Sequence, residues 1–150
     1  MNIESLRLAV LDSSVIIKWY RAGEPLRPQA LALRTAYLDG ALDLAMPDLL
    51  IYEVSNALRY KSDFSADDVC GAIQDIFDMD VAIITVTADV ATRAIRLARQ
   101  YDLSVYDAAL IACAEHAGVS LITADEALFR KASVHPAIVY LGDLASNPIP

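Results

Sequence analysis

Positive charge is scarce in this chain: twelve lysines and arginines face twenty aspartates and glutamates, for a net charge of −8. That balance excludes a general nucleic-acid coat protein, which depends on surplus cations to neutralise phosphates. It leaves room for an enzyme that engages nucleic acid locally, because a metal-binding acid cluster itself adds to the negative total. Cysteine is sparse too, with only Cys70 and Cys113. Each falls in an apolar helical pattern, so both are expected as buried free thiols in a reducing cytosol. Two cysteines without a suitable histidine pattern exclude a zinc cluster. No apolar run approaches the roughly 20 residues that span a bilayer. The start, Met1 to Arg7, lacks the basic and apolar stretches of a secretory signal. The expectation is a soluble, cytoplasmic protein with no membrane partner.

Apolar residues are plentiful, at 56% of the 150 positions. That exceeds the usual share for a soluble domain, and the surplus is available to a partner surface. The length suits one domain, residues 1–150, with one core. Short β-rich runs alternate with longer helical patterns, which predicts an α/β domain on a parallel sheet. Strands are expected at Arg7 to Leu11, Leu42 to Met46, Val81 to Val86, Val119 to Ile122 and Ala137 to Leu141. Helices are expected over Ser14 to Tyr20, from Pro28 to Asp39, from Pro47 onward, from Ser65 to Met79, from Thr87 to Tyr101, from Ser104 to His116 and from Asp125 to Ala132. Proline suits a first helical turn, serine and threonine suit caps, and Gly40 and Gly118 suit helix ends. Asn147 to Pro150 reads as a loose tail.

Four acids occupy places that a folding domain normally avoids. Asp12 closes the run Leu8 to Leu11, and Asp125 follows Val119 to Ile122. Glu53 lies in Leu49 to Val54, and Asp107 opens Ala108 to Ala114. An acid beside core-forming residues is desolvated unless something positive satisfies it, and no lysine or arginine is suitably placed nearby in sequence. Asp67, Asp68 and Asp89 serve as a contrast, since each follows a Ser or Thr cap and is explained by the helix dipole alone. Asp107 admits that same explanation, three residues after Ser104. Asp125 does so less readily, because Thr123 with Glu126 already makes a capping-box pattern. Glu53 has Leu49 and Ala57 on its helical stripe and Asn56 as its one polar neighbour there. Jointly these acids sit at expected C-terminal strand ends and helix starts, the edge where open α/β sheets bind ligands. Hard cations such as Mg²⁺ and Mn²⁺ prefer carboxylate oxygens, and such a cation polarises a phosphoryl oxygen and activates water for in-line attack.

These residues carry a family resemblance. Val10-Leu11-Asp12-Ser13-Ser14 resembles the opening of a PIN domain, and Glu53-Val54-Ser55-Asn56-Ala57-Leu58 resembles its second acidic motif. Val105-Tyr106-Asp107-Ala108-Ala109-Leu110 is similar to the third, and Leu121-Ile122-Thr123-Ala124-Asp125 to the fourth. Order and spacing resemble VapC-type toxins across nearly the whole chain. The resemblance implies a three-layer α/β/α domain with a central parallel sheet of about five strands. It also implies a Mg²⁺- or Mn²⁺-dependent endoribonuclease, a cognate antitoxin and a homodimer. Under it, Asp12 and Asp107 are direct metal ligands, while Glu53 and Asp125 complete the acidic pocket. Ser14, Asn56 and Thr123 fall where family members bind ligands or substrate.

Arg59 and Lys61 are candidate phosphate contacts, because the helix carrying them also carries Glu53. The row Arg93, Arg96 and Arg99 is better explained as a solvated helix face. Two other readings use the same residues. One is a PIN-type nuclease in RNA processing, or on single-stranded DNA, without an antitoxin. The other is a non-catalytic receiver-like module, which needs a mid-chain phosphoacceptor Asp and a late Lys near the pocket. Asp48 at a helix start and Lys131, well inside or beyond the last helix, fit that pattern poorly. A haloacid-dehalogenase-like phosphatase needs a second aspartate where Ser14 stands.

Overall fold

The computed structural model describes residues 1–145; the expected tail from Asn147 lies outside them. Five strands form one parallel sheet in the order β3-β2-β1-β4-β5. They are β1 (Leu8–Leu11), β2 (Asp43–Pro47), β3 (Ala82–Ile84), β4 (Ser120–Thr123) and β5 (Ile138–Tyr140). The helices are α1 (Ser13–Tyr20), α2 (Arg27–Leu38), α3 (Leu49–Arg59), α4 (Ala66–Asp78), α5 (Ala88–Tyr101), α6 (Val105–Ala117) and α7 (Glu126–Ala132). This is the α/β/α domain that the motifs imply.

The central strands read as unbroken apolar runs because both faces of a parallel sheet are covered. Ala9, Val10 and Leu11 of β1 and Leu121 and Ile122 of β4 are all buried. Right-handed crossovers place α1 to α4 on one face, where the chain steps from β1 outward to β3. The same rule places α5 to α7 on the other face, where it returns to β4 and β5. Helix α6 is apolar on nearly every side, and residues Leu110 to Ala114 are buried. Such a helix is sandwiched, here between the sheet and the amphipathic α5, whose Val90, Ala94, Leu97 and Ala98 face inward. Gly118 ends α6 at φ 68°, donating its N–H to Ala114 and Glu115, a left-handed position that favours glycine. No helix among the described residues is long and apolar enough to cross a membrane.

Several local expectations need correction. Pro47 does not open α3. It ends β2 opposite Ile84, and Asp48 takes the N-cap. Strand β3 is three residues long rather than six, because it is an edge strand paired only with β2. Cys113 is buried, but Cys70 is exposed, on the side of α4 that faces α3. Short 3-10 turns at Ile3–Ser5 and Leu141–Asp143 were not expected; beside them, Asn2 bridges to Ala145.

Candidate functional site

The strand order reverses direction between β1 and β4, and that reversal opens a crevice at their C-terminal ends. Asp12 leaves β1 there, and Thr123 is the last residue of β4. The Asp12 N–H donates to Ile122 O at 3.0 Å, which continues the ladder one step beyond the strand. Although Asp12 occupies the N-cap of α1, its side chain caps nothing. Its Oδ2 instead accepts the Ser14 hydroxyl at 2.6 Å and the Thr123 hydroxyl at 2.8 Å. Ser14 Oγ in turn accepts the Ala124 N–H at 2.9 Å, and Thr123 Oγ1 accepts the Asp125 N–H at 3.0 Å. Two hydroxyls thus lock the starts of α1 and α7 together through one carboxylate. Asp12 is only 5% exposed, and among the described residues no cation pairs with it. Burial pushes its carboxyl up, against the Ser14 and Thr123 hydrogen bonds that hold it down, and Asp125 adds repulsion.

The other acids converge on this point from separate elements. Glu53, half-buried in α3, is pushed up to about 7 by burial first, and then by the charges of Asp12 and Asp107. Asp107 lies in the first turn of α6, where its N–H donates to the Ser104 cap at 3.1 Å. Burial raises its carboxyl; Asp12 and Asp125 push the same way, while the Ser104 contact and the charge of Lys131 oppose them. Asp107 therefore serves the helix start and faces the other acids at once. Asp125 holds the N-cap of α7, its Oδ1 accepting from Ala127 N at 2.8 Å and Leu128 N at 3.0 Å. This corrects the expected Thr123–Glu126 capping box: the Thr123 hydroxyl is committed to Asp12, and Asp125 itself does the capping.

None of the four acids lines the surface that holds Asn56 and Arg59. Asn56 and Arg59 line a groove of about 690 Å³ between α3 and α4, walled by Tyr52, Phe64 and Val69. The Arg59 guanidinium stacks over Tyr60 at 5.0 Å. Lys61 lies close enough to Glu24 and Asp63 for its charge to lower both. Lys18 is buried, with its Nζ 3.5 Å from Glu24. Arg93 grips Glu115 through two bonds of 2.7 and 2.8 Å, which leaves Arg96 and Arg99 as the solvated part of that row. Sequence reasoning weighed Lys131 only as the late lysine of a receiver-like module and placed it away from the acids, whereas its charge reaches Asp107. No local pattern announces it, because α7 meets the start of α6 only in the folded chain.

Among the described residues, no three His, Cys, Asp or Glu side chains close into a ready-made metal cage. The donor chemistry nonetheless fits Mg²⁺ or Mn²⁺. Such ions take hard oxygens, keep several waters and need only one or two carboxylates from the protein. A buried carboxylate facing Glu53 and Asp107, whose carboxyls are both pushed upward, is the electrostatic state that a divalent cation relieves.

Comparison with known proteins identifies the family and the fold. The PIN domain family model matches residues 9–134. A toxin–antitoxin complex from Klebsiella pneumoniae superposes with a TM-score of 0.65 at 20% identity, covering 89% of this chain and 97% of that one. A Mycobacterium tuberculosis toxin described as cleaving the sarcin–ricin loop gives 0.63 at 16% identity, covering 81% and 93%. A Rickettsia felis VapBC complex bound to promoter DNA gives 0.62 at 12% identity, covering 89% and 96%. At these identities the likeness is one of fold. No curated protein matches the chain.

Proposed function

The chain belongs to the PIN domain family, and from that premise we propose that it is a Mg²⁺- or Mn²⁺-dependent endoribonuclease, the toxin of a type II toxin–antitoxin pair. One observation carries the reading: Asp12 is buried, held by Ser14 and Thr123, and faces Glu53, Asp107 and Asp125 across the crevice between β1 and β4. Asp12 and Asp107 would hold the cation, with Glu53 and Asp125 completing the pocket. When bound, the cation supplies charge for the phosphoryl oxygens and lowers the pKa of water.

The chain's own residues do the rest. Ser14 and Thr123 fix the Asp12 carboxylate by hydrogen bonds to one oxygen, leaving Oδ1 only the long 3.4 Å contact from Ser13. The first turn of α1, which no side chain caps, brings a helix N-terminus to the crevice, where its partial positive charge favours an incoming phosphate. Burial and the charges of Asp12 and Asp107 push the Glu53 carboxyl up to about 7, a repulsion that a bound cation would offset. Asn56, Arg59 and Lys61 are proposed as outlying substrate contacts.

The antitoxin pairing draws on the fold of the Klebsiella and Rickettsia complexes, and RNA as substrate on the Mycobacterium toxin. A single 1–150 domain, a homodimer and a cytoplasmic location complete the proposal. The test is to incubate the purified chain with total RNA in Mg²⁺, Mn²⁺ or chelator and to map new ends by sequencing. Discrete cleavage that chelator abolishes supports the reading. Cleavage undiminished by chelator rejects metal dependence, and cleavage of single-stranded DNA alone would favour a nuclease outside toxin–antitoxin systems.

A further inference from the structure

An acidic crevice repels the backbone of the RNA that it is proposed to cut, so a cation must stand at its rim. Lys18 and Arg93 are taken up by Glu24 and Glu115, and Arg59 stacks over Tyr60 on the groove side of α3. Lys131 is the cation whose charge acts on Asp107. It projects from the last turn of α7, the helix whose first turn is capped by Asp125. Its Nζ donates to the Asp102 carbonyl at 2.6 Å and lies 3.2 Å from the Asp102 carboxylate.

Asp102 caps α5 and stands two residues before Ser104, whose hydroxyl receives the Asp107 N–H. Lys131 is thereby held beside the start of α6, on the side where Asp107 enters the crevice. Its side chain is 47% exposed, and the Asp102 carboxylate is 99% exposed. An ion pair that open to water contributes little to stability and exchanges readily for another anion. An ammonium group has three N–H donors, and the two Asp102 contacts use two of them.

We infer that Lys131 is the rim contact for a phosphate of the RNA backbone, pre-placed by the Asp102 carbonyl and shared with the Asp102 carboxylate until substrate arrives. The inference rests on the ribonuclease reading and adds a cation beside Asp107 to the outlying contacts of that reading. Phosphate contacts of this kind position a strand without reading its sequence. Their signature is a salt-dependent contribution to affinity that is alike for every RNA.

The test measures binding of a short fluorescein-labelled single-stranded RNA to the full chain in Mg²⁺, over a range of salt. An Asp12→Asn background keeps the RNA intact. Lys131→Met is expected to weaken binding roughly three- to tenfold and to reduce the slope of log K against log salt by about 0.7. Lys131→Arg should restore the slope. Asp102→Asn, which tolerates the left-handed φ of 53° and keeps the carbonyl, should bind as tightly as the parent or more tightly. A lysine that only pinned the loop would give the opposite pattern: weaker binding in Asp102→Asn and an unchanged slope in Lys131→Met. That pattern overturns the inference while leaving the nuclease reading standing. RNA cleavage by the unsubstituted chain is measured alongside, and its absence together with absent binding sinks both.

Discussion

The Thr123 hydroxyl donates to the Asp12 carboxylate at 2.8 Å, joining the ends of two neighbouring strands across 111 positions of sequence. The bond satisfies a carboxylate that is otherwise short of partners, and it fixes the direction in which that carboxylate faces. Removing the hydroxyl and removing the charge should therefore have opposite effects on the fold. Thr123→Val takes a donor from a buried acid and should destabilise the protein by about 1–3 kcal/mol. Asp12→Asn removes a desolvated charge and should leave stability in chelator unchanged or raised, while cleavage falls by about 100-fold or more. Urea unfolding beside a cleavage assay checks both. A strongly destabilised Asp12→Asn would mean that the acid serves the fold rather than the chemistry.

Divalent-ion binding should register in stability even without substrate. Ligand bound only by the native state contributes about 2.7 kcal/mol at one hundred times its dissociation constant. Melting in Mn²⁺ or Mg²⁺ should exceed melting in chelator, and Asp107→Asn should erase most of the difference. A full ion-induced shift in both Asp107→Asn and Asp12→Asn would move the metal to another part of the molecule.

Away from the crevice, Glu115 supports the pH behaviour of the fold. Its carboxyl is held down to about 2, chiefly by Arg93 and then by His135, whose Nε2 lies 2.8 Å away. His135 Nδ1 accepts the Ala137 N–H at 3.2 Å, which leaves Nε2 to donate to Glu115. An acid with a depressed folded-state pKa stabilises the protein above its unfolded value, and that stabilisation is lost as pH falls through the folded one. The relevant window runs from about 4.5 down to about 2. Glu115→Gln should cost on the order of 1–2 kcal/mol at neutral pH, allowing for solvent screening, and the two proteins should converge near the acid end. Parallel stability curves across that window would remove Glu115 from the account.

Much of this architecture was legible because it is written locally. Ser65, Thr87 and Ser104 each accept the N–H three residues on, and those caps set the starts of α4, α5 and α6. Apolar runs located the central strands, and the acids stood out against them. What escaped depended on partners distant in sequence. Pro47 suits a helix start or a strand end equally well, since neither position needs its missing N–H. Helical spacing put Asn56 beside Glu53, but only packing against α4 turns it toward the groove with Arg59. Thr123 carries the local pattern of a cap, yet its hydroxyl is claimed by an aspartate from another strand.

Asp125 offers the sharpest separation of fold from chemistry, because it performs both jobs with different demands. Its Oδ1 caps α7 through the N–H groups of Ala127 and Leu128, and an amide oxygen can accept those bonds as well as a carboxylate can. Asp125→Asn should therefore keep stability within a few tenths of a kcal/mol, whereas Asp125→Ala should lose about 1 kcal/mol with the cap. The proposed metal pocket needs the charge, which asparagine lacks, so both variants should cut RNA poorly. Comparing their melting and cleavage isolates the two roles at one position. If Asp125→Asn cleaves like the parent while Asp125→Ala does not, the residue is a cap and nothing more, and the pocket consists of Asp12, Glu53 and Asp107.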